Sequence, residues 1–391
     1  MRERKHLIYV FLVFFCVLLP LTILYSMDQK TLAEMYRSGE IKLTPVLTLS
    51  DESMPEDVFF ESLSDLTFDS EDNIYIADSS ACDIKVFDPA GRFIKTLGRK
   101  GQGPGEFLMP SYLSFAKGQI VVCELGNRRL SILTKNGEFL KSVPILSAEG
   151  WPRKIRTLPN GNFVIENMKR FYGNNEKPQE SFIGIYSPEL GCKKTIYTQS
   201  VWRNKYITSP VRTNLPQPFA SLVYWDVAPD GRIVIGYSEK YLIEIFDSEK
   251  GKLFDFSHTY NPVKVTKEDK INFFDNMTST SSQGGIKKGA PDYIVENTKF
   301  PKYKPAFQYI IVDGEGNILV FSCSEGIAKE ARSFDAFDSD GHFISRVQVK
   351  GIHAFPPYYS RLYRRGGYFW IRETTEQGLY QIVKYKVSEF N

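Results

Sequence analysis

From residue 65 onward, apolar positions fall in short runs with period two, separated by turns rich in Asp, Asn and Gly. Ile74 and Ile76, then Ile84 and Val86, show the alternation of antiparallel strands. One phrase returns. Its clearest copy is residues 65–98, DLTFDSEDNIYIADSSACDIKVFDPAGRFIKTLG, and the next is residues 111–145. Aligning Asn73 with Gln119 needs no gap through Ile84/Leu130 and Val86/Ile132. Further copies centre on NGNFVI at Asn160, DGRIVI at Asp230, GEGNIL at Gly314 and RGGYFWI at Arg365. The turn glycines before each inner strand are Gly118, Gly161, Gly231, Gly316 and Gly367, with Asp72 in the first copy.

Four short strands every ~40–50 residues, with glycine at fixed turns, is the signature of a propeller blade. The pattern therefore predicts an all-β, six-bladed β-propeller over residues 43–391. The strand at residues 43–49 is expected to pair into the blade containing residues 368–371 and close the ring, which leaves no open sheet edge.

The amino-terminal end has a different pattern. Arg2, Arg4 and Lys5 precede an uncharged stretch of 21 residues, 7–27, long enough to cross a bilayer as a helix. Positive charge before the span keeps the N-terminus in the cytoplasm. The expectation is a signal anchor or transmembrane helix at 1–27, a short helical stalk at 28–42, and a propeller on the extracytoplasmic side. A cleaved secretory signal is the alternative, and it exports the chain equally.

The stretch GRKGQGPGEFLMP at residues 98–110, followed by a strand and then ELGNRRLSIL, resembles the NHL-repeat family. Residues 43–390 as a whole look like the bacterial six-bladed propellers related to it. That resemblance implies a shape, in exported or membrane-tethered proteins, more than an activity.

Composition narrows the chemistry. Lys plus Arg is 49 against 46 Asp plus Glu, a net charge of +3, which makes no case for nucleic acid as a partner. Asp65, Asp226 and Asp313 are the acids to weigh for a calcium-type channel site, but Asp65 and Asp313 read as turn residues. His258, His342 and His353 do not fall on inner strands, so no metal and no cofactor is expected. No Gly-x-Ser-x-Gly nucleophile elbow occurs. Cys82 and Cys123 leave a disulfide open as an alternative to two small core residues.

Two insertions interrupt the repeat, at 198–223 and 259–307. The first carries Arg203, Lys205 and Arg212 with no acid, and the second more lysines than acids. Both join the outermost strand of one blade to the innermost of the next, as do 99–110, 150–154 and 350–360. Such connections share one face, which thereby concentrates positive charge among Trp151, Trp202, Tyr206, Trp225, Tyr303 and Tyr363. Cations and flat rings together suit anionic or sugar-like ligands. The expected function is a membrane-tethered binding module for an anionic, peptide or glycan ligand on this face. Its candidate residues are Arg99, Arg128, Trp202, Arg203, Arg212, Tyr303 and Lys304. The rival is a channel-centred propeller enzyme of lactonase or lyase type.

Overall fold

The structure, a computed structural model, describes residues 30–145, 150–169, 178–202, 204–207, 213–275, 277–280, 286–323, 332–351, 362–375 and 377–389. The expected anchor at 1–27 lies outside them. Among the described residues no helix is long and apolar enough to cross a membrane.

The chain is an all-β propeller. Unit 1 consists of Leu63–Phe68, Ile74–Asp78, Asp83–Phe87 and Phe93–Leu97. Unit 2 is Pro110–Ala116, Gln119–Glu124, Arg129–Thr134 and Phe139–Pro144. Unit 3 is Trp151–Thr157, Phe163–Lys169, Gln179–Tyr186 and Cys192–Val201. Unit 4 is Val223–Val227, Ile233–Tyr237, Leu242–Asp247 and Gly251–Ser257. Each is a separate antiparallel sheet whose spatial order follows the chain.

Two hairpins, Asn204–Ile207 with Thr213–Pro216 and Thr278–Thr280 with Ile286–Lys288, stand apart as two-stranded sheets in the insertions. Eight other strands form one sheet with two four-stranded halves. Unit 5 is Phe307–Val312, Ile318–Ser322, Arg332–Phe337 and Phe343–Lys350. Unit 6 is Leu362–Arg365, Tyr368–Thr374 and Tyr380–Glu389, completed by Glu40–Leu49. That early strand runs antiparallel to Tyr380–Glu389, with Leu43 opposite Val387 and Leu49 opposite Ile382. The pairing expected for residues 43–49 is therefore found. The same strand also touches the edge of unit 5 in parallel, at Glu40↔Gln348, Ile41↔Val349 and Lys42↔Lys350.

The core is a ring rather than a ball. Apolar clusters fill the gap between each unit and the next: Ile84, Leu97 and Ile120 between units 1 and 2, and Ile132 and Ile165 between 2 and 3. Ile185 and Ile235 fill the next gap, Ile245 and Ile310 the one after, and Phe334 and Ile371 lie between units 5 and 6. Leu63 and Ile76 with Trp370 and Ile382 complete the circuit from unit 6 to unit 1. Alternating strands make this possible, because both faces of each sheet are buried against neighbours.

The repeat alignment holds in detail. Ala77 and Cys123 are equivalent and both fully buried. Cys82 and Arg128 both adopt the left-handed region, at φ 61° and 53°. The first-turn positions Asp72, Gly118, Gly161, Gly231 and Gly316 all have positive φ. In unit 6 that role falls to Gly366 (φ 57°), one residue before the glycine expected. Cys82 and Cys123 are free thiols.

Residues 28–42, expected as a stalk, hold helix α1 (Leu32–Arg37), started by a capping box between Thr31 and Glu34. The helix lies on the propeller. Leu32 and Tyr36 are buried in the cluster between units 5 and 6. Glu315 accepts the Leu32 amide, and the Tyr36 hydroxyl donates to Asp313 at 3.1 Å. A tyrosine without exposed surface explains the docking, since its ring cannot be left in water as a free stalk would require. The 259–307 insertion contributes helix α2 (Lys267–Asp275) and helix α3 (Asp292–Asn297). Thr266 caps α2, its hydroxyl accepting from the Asp269 amide.

Candidate binding site in the central channel

The first strand of each unit lines the axis, and residues from all six meet there. Unit 3 supplies Lys154 and Arg156 from Trp151–Thr157, two residues apart and thus on one side of the strand. Unit 4 supplies Asp226. The Lys154 ammonium and the Arg156 Nε lie 3.5 and 3.6 Å from the same oxygen, Asp226 Oδ1. The other Asp226 oxygen accepts the Val312 amide of unit 5 at 3.1 Å.

Asp65 of unit 1 repeats this device. It accepts the Leu113 amide of unit 2 at 2.9 Å and the Tyr363 hydroxyl of unit 6 at 2.7 Å. Asp65 is therefore an inner-strand residue and not the turn residue expected. The turn belongs to Asp69, which accepts the amides of Glu71 and Asn73. Asp313 does hold a turn, accepting the amides of Glu315 and Asn317. Ser114 of unit 2 bonds Thr157 of unit 3 at 2.6 Å.

Arg156 is the centre of the group. Burial opposes its charge, but Asp65, Asp226, Tyr309 and Tyr363 outweigh burial and hold its pKa above the ordinary value. Its only hydrogen bond among the described residues goes to the Ile155 carbonyl at 2.9 Å. A guanidinium carries five N–H donors, so most of them have no hydrogen-bond acceptor among the described residues. Solvent reaches 26% of this side chain.

Lys154 lies under different constraints. Its ammonium sits 4.7 Å from the centre of the Trp225 ring and donates to the Trp225 carbonyl. Burial pushes the amine down to about 8; Asp226 opposes that, and the neighbouring Arg156 adds to it. Directly across the strand pair stands Glu166, whose carboxylate accepts the Trp225 indole N–H at 3.0 Å and the Ser181 hydroxyl at 3.1 Å.

The seven residues expected on the loop face fare unequally. Arg99 is exposed but ion-paired with Glu106 at 2.9 Å. Arg128 is exposed and lies over the Trp151 ring at 5.1 Å. Trp202 and Tyr303 are 47% and 40% exposed. Lys304 is buried and ion-paired with Asp269 of α2 at 2.8 Å, so its charge holds the insertion down. Arg203 and Arg212 lie outside the described residues. Trp225 and Tyr363, grouped with the loop aromatics on sequence, are buried inner-strand residues.

Among the described residues no group of three or more His, Cys, Asp or Glu is placed to hold a metal ion. A pocket of ≈ 270 Å³ lies between the outer strands of units 4 and 5, lined by His258, Tyr260, Asn261, Asp335, Phe343 and Arg346. Its charged groups are already paired, Arg346 donating twice to Asp335.

A family model described as a 6-bladed beta-propeller matches residues 54–131. No curated protein matches the sequence. Among solved structures, a Bacteroides fragilis protein described as exported is similar at 12% identity and a TM-score of 0.53, over 90% of this chain and 96% of that one. Virginiamycin B lyase of Staphylococcus aureus matches at 14% identity and 0.42, over 89% and 99%. A gluconolactonase of Xanthomonas campestris matches at 10% identity and 0.40, over 83% and 86%. At 12% identity, the likeness to the Bacteroides fragilis protein speaks for the propeller fold alone.

Proposed function

We propose that the protein is an extracytoplasmic six-bladed propeller, tethered through residues 1–27, that binds a small anionic ligand entering its channel from the loop-rich face. Six four-stranded units and six apolar interfaces support the blade count. Antiparallel alternation puts every connection from one unit to the next at one end of the strands, and α1 at the other. A tether at the amino-terminal end thus leaves the loops facing away from the membrane.

The observation that carries the reading is Arg156, a channel residue whose side chain is 26% exposed and most of whose donors have no hydrogen-bond acceptor among the described residues. A carboxylate or phosphate matches that fork in two parallel hydrogen bonds. The exposed cations and rings of the loop face, Arg128 over Trp151 among them, would attract and guide such a ligand rather than hold it.

The test is a thermal-shift and calorimetric titration of oxalate against the wild type and Arg156→Gln. Binding by the wild type and its loss, by about tenfold or more, in the variant is expected. Equal affinity in both, or no binding by either folded protein, overturns the reading.

A further inference from the structure

We infer that the channel captures small oxo acids covalently, Lys154 adding to the carbonyl carbon of a ligand whose carboxylate rests on Arg156. The inference deepens the anion-binding reading and rests on it.

Three features of the channel argue for it. Lys154 and Arg156 lean on one oxygen, Asp226 Oδ1, so a single small molecule reaches both heads. The amine is flanked by a cation and desolvated by burial, a setting that favours the neutral, nucleophilic form of lysine. Two carboxylates stand by to carry protons: Asp226 at 3.5 Å, and Glu166 across the strand pair, anchored by Trp225 and Ser181. No lysine outside the channel among the described residues combines these features; Lys304 and Lys85, both buried, are held by carboxylates at 2.8 and 2.7 Å.

The reaction needs no oxidant or reductant. The amine lone pair forms a C–N bond to the carbonyl carbon, and the C=O π pair moves to oxygen. Asp226 passes a proton from the new ammonium to that oxygen, giving the carbinolamine, and then passes the second nitrogen-bound proton to the carbinolamine hydroxyl. That hydroxyl leaves as water while the nitrogen lone pair closes the C=N bond. Amine plus carbonyl gives imine plus water.

Glyoxylate with cyanoborohydride tests this, because reduction of the imine leaves a carboxymethyl group that peptide mapping locates. At pH 7.5 an amine that titrates near 8 has on the order of a hundredfold more neutral form than an exposed lysine. Lys154 should therefore be labelled at least about tenfold faster than exposed lysines such as Lys117. Arg156→Gln should slow labelling of Lys154 alone, and excess oxalate should protect Lys154 alone in the wild type, a control that stands even where a variant folds poorly. Labelling of Lys154 no faster than of exposed lysines, or indifferent to oxalate, overturns the inference. If oxalate still binds in an Arg156-dependent way, only the covalent step falls; if it does not, the anion-binding reading falls too.

Discussion

Lys154 shows how far a single side chain can depart from its pattern. On sequence it belongs to a loop after Gly150, one of many lysines on a basic face. In the fold it is on the first strand of unit 3, because Trp151–Thr157 pairs with Phe163–Lys169 and a bulge sits between Pro152 and Lys154. The bulge changes which side chains point inward, and period-two alternation alone does not disclose it. Asp65 departs from its pattern for a related reason: Asp65 and Asp69 bracket residues 66–68, and only pairing tells the strand residue from the turn residue. The sign of the lysine's effect on stability follows from its position. Its amine releases its proton near 8 in the folded protein and at 10.5 when unfolded. Between those values the unfolded chain binds more protons, so this group makes stability rise with pH across that window and contributes a constant amount outside it. Urea titrations of wild type and Lys154→Met from pH 7 to 11 should show the wild type gaining on the variant by up to about 3 kcal/mol. A difference that stays flat across pH would mean the amine titrates normally.

At the scale of elements, the repeat was readable and the docking of its additions was not. Turn residues and alternating strands recur, so each unit was visible. Helix α1 was visible too, as the short helical stalk expected at residues 28–42. Its resting place was not, since that depends on Asp313, Glu315 and Arg364, which are far away in sequence. Tyr36 is what fastens it. Its ring meets Phe334 edge-on at 5.4 Å, and its hydroxyl donates to Asp313 while accepting from Arg364 at 3.3 Å. Burial raises its pKa beyond any physiological range, so the hydroxyl stays a donor. Tyr36→Phe should cost about 1–2 kcal/mol by leaving Asp313 and Arg364 short of a partner. Tyr36→Ala should cost about 3–5 kcal/mol by opening a cavity between units 5 and 6. Chemical denaturation of both variants measures this ordering, and equal costs would show that the ring and hydroxyl do not act separately.

The whole molecule depends on one early strand. Residues 40–49 supply the outer strand of unit 6 although the rest of that unit comes from the other end of the sequence, and they also touch unit 5. Closure by such a strand ties the ends of the ring together. Without it, the edges of Tyr380–Glu389 and Phe343–Lys350 would present unpaired backbone groups, and Leu43, Leu49, Val383 and Val387 would lose their cover. The channel would suffer as well. Asp65 of unit 1 holds Tyr363 of unit 6, so the group around Arg156 requires units 1 and 6 to stay together. If the channel binds an anion as proposed, closure and binding are coupled: a ligand that bridges Arg156 to the other units should stabilise the closed ring, and a broken ring should not bind. A chain starting at residue 50 should therefore unfold less cooperatively and self-associate through its open edges in light scattering. It should also give no calorimetric response to oxalate. Supplying residues 30–49 as a separate peptide should restore both the monomer and the response. A truncated protein that stays monomeric and binds oxalate as tightly as the full chain would show that the ring holds without its closing strand.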